Sequence, residues 1–305
     1  KKFDLMIEKI NFKHSLIFFN FCIFISAFKY LRENNLIILC LFLILCIGIT
    51  HGSLDHIKGK KLLKIFNIKN YGLFFIGYLA ISILTILIWL LFPKTLLLIF
   101  LIVASYHFGK EDSDFLKLEK INFYEILLFF KGSVVITSPL LFHQNETYEI
   151  FKILNFDISN TFIVSNIFLY SMIFISFLVN LFFCLKENFE NKSLLLMDFF
   201  SIIILNLFLN PLLAFTLYFC FLHSIRHSLS LIFEINSNIK IGLKLFIKKA
   251  FPLTFITAIF YLGVIYYLKN DFGLDRSINK VIFIGLASLT FPHILLEYFL
   301  KKNGK

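Results

Sequence analysis

The side chains best suited to chemistry in this chain are its eight histidines, at positions 14, 51, 56, 107, 143, 223, 227 and 293. Neutral imidazole is the commonest side-chain ligand of transition metals. His223 and His227 lie four apart in His223-Ser224-Ile225-Arg226-His227. On a helix that spacing puts both rings on one face, where they can share one ion. His51 opens the run His51-Gly52-Ser53-Leu54-Asp55-His56, His107 sits in Ser105-Tyr106-His107-Phe108-Gly109-Lys110-Glu111-Asp112, and His293 follows Pro292. His51 and His107 would complete a four-histidine site with the 223/227 pair. Carboxylates recur at one offset: Asp55 is four residues after His51, Glu111 four after His107 and Glu297 four after His293. A ligating histidine usually gives its second ring N–H to a carboxylate or carbonyl, and on continuing helices these acids stand where they can accept it. The plainer reading is that His223 and His227 only bond across helices. Arg226 between them argues against it, because a charge within an apolar span needs a partner of its own. His14 and His143 read as terminal or loop residues, and His56 as a loop residue near a basic patch.

The elements that must position these residues are membrane helices. Of 305 residues, 59% are hydrophobic and 16% charged, with a mean hydropathy of +0.84; soluble domains carry about 25% charged residues. Apolar runs near the length needed to cross a bilayer fall at 15–31, 36–50, 71–92, 95–108, 122–141, 161–184, 194–210, 212–233, 251–268 and 281–300. The expected fold is therefore an all-α, polytopic integral membrane bundle of about ten helices, within a range of eight to ten, forming one membrane-embedded domain over 1–305. Pro93, Pro211 and Pro252 stand at or near segment starts, where proline is tolerated; Pro139 and Pro292 fall within or near the ends of apolar runs, where it kinks them. The basic start ahead of the first apolar run resembles a signal peptide, but no small-x-small cleavage site follows, so a first membrane helix is expected.

Charge gives the orientation. Segments on one side of a ten-span layout hold 21 Lys, against seven Lys and Arg on the other, with Lys131 and Arg226 inside spans. That bias places both termini in the cytoplasm. It also puts His51, His107, His223, His227 and His293 in the cytoplasmic half, each on an even-numbered span. The net charge of +11 comes from these short interhelical runs rather than from a soluble basic domain, so nucleic-acid binding is not expected. The five cysteines lie inside apolar stretches without a CxxC pair and read as small buried hydrophobes.

Taken together, HGxxDH, SYHFGxED, HxxRH in a late span and PH followed by Glu resemble the bacterial Brp/Blh family of β-carotene 15,15′-dioxygenases, in order, from about residue 45 to residue 300. The resemblance implies an inner-membrane enzyme that holds Fe(II) through four histidines and splits the central double bond of β-carotene with O2 into two molecules of all-trans-retinal. Motif by motif, it makes His51, His107, His223 and His227 the ligands, with no catalytic residue beyond the metal centre. His293 matches a family motif but is not taken as a ligand; with Asp55, Glu111 and Glu297 it is expected to support the ligands. Tyr106 and Phe108, flanking His107, are named as substrate-lining residues, in a tunnel of Phe and Leu that admits the polyene from the bilayer. A rhodopsin receiving retinal is the implied downstream partner.

Two other classes compete. A membrane di-iron desaturase or hydroxylase would use His51/His56 as HxxxxH and His223/His227 as HxxxH, but those enzymes carry paired HxxHH boxes and this chain has no His-His dipeptide. A transporter should show a repeat around a midplane site, and none is evident. A retinal-binding, opsin-like protein needs a lysine within a span; the last span has none before Lys301, and Lys131, in the fifth, is the only one in mid-span.

Overall fold

The computed structural model describes residues 2–28, 36–50, 52–116, 123–157 and 165–303. Those residues are helical with short connections, and no strand occurs among them. The helices are α1 (Lys2–Ser26), α2 (Ile37–Cys46), α3 (Asp55–Ile65), α4 (Gly72–Leu91), α5 (Pro93–Glu111), α6 (Tyr124–Phe142), α7 (Gln144–Ile153), α8 (Asn166–Lys186) and α9 (Phe189–Phe208). There follow α10 (Pro211–Leu217), a π-helical segment at Tyr218–Ser224, α11 (Ile225–Ile235), α12 (Ile239–Phe272) and α13 (Leu274–Asn303). Eight stretches among the described residues are long and apolar enough to cross a bilayer; α10, the π segment and α11 count as one, and α2 through α3 as another. With α1 and α5, every predicted span corresponds to a helix, and the chain is a polytopic helical membrane protein.

The packing is that of a protein in lipid. On α4 the inward positions are Ser82, Thr85 and Trp89, while Ile76, Leu79, Ile83, Leu87 and Leu90 face outward. The two inward hydroxyls donate to carbonyls of their own helix, Ser82 to Tyr78 and Thr85 to Ile81, as polar groups at membrane depth must find partners nearby. Helix α12 is exposed in the same way along Phe251, Phe255, Ile259 and Phe260. The many phenylalanines thus divide between lipid-facing and core positions.

Boundaries differ from the predicted ones wherever lysines continue a helix past the apolar run. Helix α12 starts at Ile239 rather than 251, so Pro252 lies inside it; its first turns carry the exposed Lys240, Lys244 and Lys248. Helix α1 likewise begins well before residue 15. The opposite happens at 36–50. Regular α-helix ends at Cys46, and two 3-10 turns follow, Gly48–Thr50 and Gly52–Leu54. Side chains complete that turn: Thr50 Oγ1 donates to Ile47 O at 2.7 Å, Ser53 Oγ to Thr50 O at 2.5 Å, and Ser224 Oγ reaches in from the π segment to Gly48 O at 3.0 Å.

Helices α5 and α6 meet backbone to backbone. A Cβ on Gly109 would lie 1.8 Å from Leu128 O, and one on Gly132 would lie 2.0 Å from Ser105 O. Only glycine allows this approach, the usual role of small residues where membrane helices cross. The crossing lies between His107 and Glu111 and so fixes the height of both. Around the bundle, α1 packs on α9, α6 on α8, and α13 on α4 and α12.

Candidate metal centre

Four elements bring four imidazoles together. His107 comes from α5, His223 from the π segment, His227 from α11 and His293 from α13. Ring centroids are 5.1 Å apart for His107–His223, 5.4 Å for His107–His293 and 5.9 Å for His227–His293. His107, His223 and His293 are buried, and His227 is partly so. Of the four ligands expected from sequence, three are in this cluster. His51 lies outside the described residues. The turns on either side of it are described, and one of them, through Gly48 O, is bonded to Ser224 beside His223.

Each of three rings is held by a carboxylate at Nδ1. His223 Nδ1 lies 2.9 Å from Asp112 Oδ1, His227 Nδ1 lies 2.8 Å from Glu111 Oε2, and His293 Nδ1 lies 2.9 Å from both oxygens of Asp55. A carboxylate facing Nδ1 takes the N–H there, which makes Nε2 the nitrogen with the lone pair. The Nε2 atoms of His223 and His293 are shielded from solvent. Asp112 Oδ2 accepts from Tyr218 Oη at 2.5 Å, and Asp55 Oδ2 from Tyr78 Oη at 3.0 Å. Imidazoles oriented by carboxylates that are themselves hydrogen-bonded form the arrangement that fixes a metal ligand's tautomer and raises its basicity.

The acids therefore support histidines on facing elements. Glu111 serves His227 rather than His107, and Asp55 serves His293, the width of the bundle away in sequence. Glu297 is engaged by a cation: Lys58 Nζ donates to it. Side chains one helical turn apart point the same way, so an acid at that offset runs alongside its histidine instead of meeting the ring's far nitrogen. A facing helix is what meets it. Asp112, not singled out in the sequence, is the partner of His223; its position directly after Glu111 at the end of α5 was the available signal.

The π segment is the second feature that sequence did not indicate. It carries His223 and is tied down from outside: His14 Nε2 donates to Phe221 O at 2.7 Å. His14 is thus no terminal or loop residue but a buttress within α1. Single π turns in α-helices concentrate at functional sites because they redirect one side chain. Here His223 meets His107 and Asp112 while His227, four residues on, reaches Glu111. Arg226 between them turns the other way, to Asp198 on α9, with Nη1–Oδ2 at 2.6 Å and Nη2–Oδ1 at 3.0 Å, and to Ser15 Oγ at 2.6 Å. The mid-span charge has its expected partner. Lys131 shares a buried pocket with Asp112 and Asp198; its free volume is about 10 Å³, room for about one water.

The remaining candidates divide. Phe108 is buried, its ring 5.0 Å from His223 and 5.9 Å from His107. Tyr106 turns to the opposite side of α5, where its hydroxyl donates to Glu125. Beyond Phe108, a run of stacked rings leads away from the cluster: His223–Phe219 at 5.7 Å, Phe219–Phe215 at 5.5 Å and Phe215–Phe283 at 6.1 Å. His56 Nδ1 bonds locally to Ser53 O at 2.9 Å, and His143 caps α6 near Glu146. A cavity of about 210 Å³, lined by Glu8, Asn11, Glu111, Asp114 and His227 among others, adjoins the cluster; its walls are too polar for the apolar tunnel expected from the sequence.

The chain matches the family described as β-carotene 15,15′-dioxygenase over residues 42–301. A β-carotene 15,15′-dioxygenase from uncultured marine bacterium 66A03 is 28% identical over 261 residues, covering 85% of this chain and 92% of that protein. No solved structure matches.

Proposed function

The chain belongs to the β-carotene 15,15′-dioxygenase family, and from that premise we propose that it cleaves the central double bond of β-carotene with O2, giving two molecules of retinal at an Fe(II) centre. The observation that carries this reading is the cluster in which His107 lies against His223 and His293, and His293 against His227, with His223 and His227 each backed by a carboxylate. Those three would hold the metal together with His51. The donor set fits it: imidazole nitrogens with their tautomers fixed suit a divalent iron. When bound, iron with positions left open beside its histidines supplies the activation of O2.

The protein's own contributions follow from the geometry. Asp112 and Glu111 keep protons on the Nδ1 atoms of His223 and His227, which leaves the ring lone pairs on Nε2. The burial of His107, His223 and His293 limits the access of bulk water to that part of the cluster, which protects a reactive centre from side reactions. The stacked rings of Phe219, Phe215 and Phe283, with Phe108 edge-on to His223, offer a flat apolar wall of the kind that suits a conjugated polyene. An apolar substrate already dissolved in the bilayer reaches such a wall without crossing water. The opsin-like reading is disfavoured by Lys131, whose pocket has no room for retinal. Expression in cells that accumulate β-carotene tests the proposal: colour should be lost and retinal should appear. Carotene left intact by a protein that retains its metal would refute the substrate assignment.

A further inference from the structure

We propose that His293 is itself a metal ligand, adding an imidazole from the last helix to the ligand set, and that Asp55 is the residue that positions it. The proposal rests on the reading of the cluster as a metal centre.

The argument begins with burial. His293 is 3% exposed, in a helix otherwise apolar at that level. A buried imidazole at membrane depth must be held by polar partners. Nδ1 is used by Asp55, 2.9 Å away through both carboxylate oxygens. That carboxylate is placed by two further elements: α3 carries it, and Tyr78 of α4 donates to Oδ2 while also reaching Leu289 O on α13 at 3.3 Å. Three helices thus combine to set the angle of one ring. His293 has the same carboxylate-backed form as His223 and His227, which the reading already takes as ligands.

Position supplies the second argument. His293 stands between His107 and His227. One ligand atom from each of His227, His293 and Glu297 can be chosen so that all lie within 4.8 Å of one another. Two ligands at about 2.0–2.2 Å from a shared ion lie at most about 4.4 Å apart, so closure needs a shift of only a few tenths of an ångström. Of these three groups, Glu297 is already engaged by the Lys58 ammonium, which also lies 3.4 Å from His227 Nε2. The carboxylate's charge is neutralised there, which leaves the imidazole of His293 as the better donor.

The test uses the full-length protein in detergent, stripped of metal by a chelator and titrated with Co(II), whose ligand-field absorption reports the number and type of ligands. Wild type should bind one Co(II) per chain. His293→Ala and His293→Gln should weaken binding at least 10-fold and alter the band positions. Asp55→Asn should weaken it about 10-fold or more, as loss of an orienting partner does. His293→Gln preserves volume and a partner for Asp55, so it carries the test if the alanine variant does not fold. Wild-type affinity with an unchanged spectrum in either folded His293 variant would overturn the proposal. Absence of Co(II) binding by wild type would instead remove the metal-centre reading beneath it.

Discussion

Asp112 Oδ1 lies 2.9 Å from His223 Nδ1, and the helix that delivers Asp112 is the one that carries His107. One helix end thus provides a ring of the cluster and, in Glu111 and Asp112, the carboxylates that orient two others. Tyr218, five residues before His223, donates to the other oxygen of Asp112 and closes the unit. Replacing Asp112 with Asn removes the charge and the preference for a proton on Nδ1. Metal affinity is expected to fall about 10- to 100-fold, measured as metal retained after dialysis against a graded chelator series. Retention equal to wild type would mean that Asp112 only fills space.

The Gly109–Gly132 crossing sets where this helix end sits. Gly109→Ala places a methyl 1.8 Å from a main-chain carbonyl, which no rotamer change relieves, so the helices must separate. Overpacking costs typically about 1–3 kcal/mol, and a backbone clash belongs at or above the upper end. The unfolding midpoint in detergent and the metal content should fall together. Gly77→Ala, on an open stretch of α4 with nothing within 4 Å, is the control and should change neither. A stable, fully loaded Gly109→Ala protein would show that the crossing is not needed to hold the site.

Arg226, which separates the two histidines of the HxxRH motif in sequence, forms a buried bidentate pair with Asp198. Removing one partner of such a pair strands the other charge and costs about 3–5 kcal/mol. Arg226→Ala and Asp198→Ala should each destabilise the protein by about that amount in denaturant titrations. Arg226→Lys should recover little, since an ammonium cannot reproduce two parallel bonds. The double change to Met and Leu should lie nearer wild type than either single variant; strict additivity would show that the pair does not act as a unit.

Much of this was legible in the sequence. Hydropathy alone gives the helices, because lipid imposes a length and an apolar content on each. It misplaces the ends of α1 and α12, where lysines extend a helix into the polar region without breaking it. The histidines stood out because ionisable groups in apolar runs are rare, and the motifs bring His107, His223, His227 and Asp55 to attention. What could not be read is which helices face each other. Asp55 was matched to His51 by spacing, whereas the fold turns it to His293 on the last helix. Asp112 was overlooked beside Glu111 because spacing assigned a role to only one of the two. The π turn, and His14 supporting it from α1, follow from tertiary contacts that leave no periodic trace. Tyr106 and Phe108 are two residues apart, and at about 100° per helical residue they point to nearly opposite sides, so only Phe108 reaches the cluster.

The central claim is that a metal held by these histidines cleaves β-carotene. It is tested most directly with purified, Fe(II)-loaded wild type and His107→Ala, each given β-carotene in detergent under air, with products identified by chromatography against retinal standards. The account predicts two molecules of retinal for each carotene consumed by wild type, none after chelation, recovery when Fe(II) is restored, and none from His107→Ala. No retinal from iron-loaded wild type, or equal retinal from His107→Ala, would contradict it.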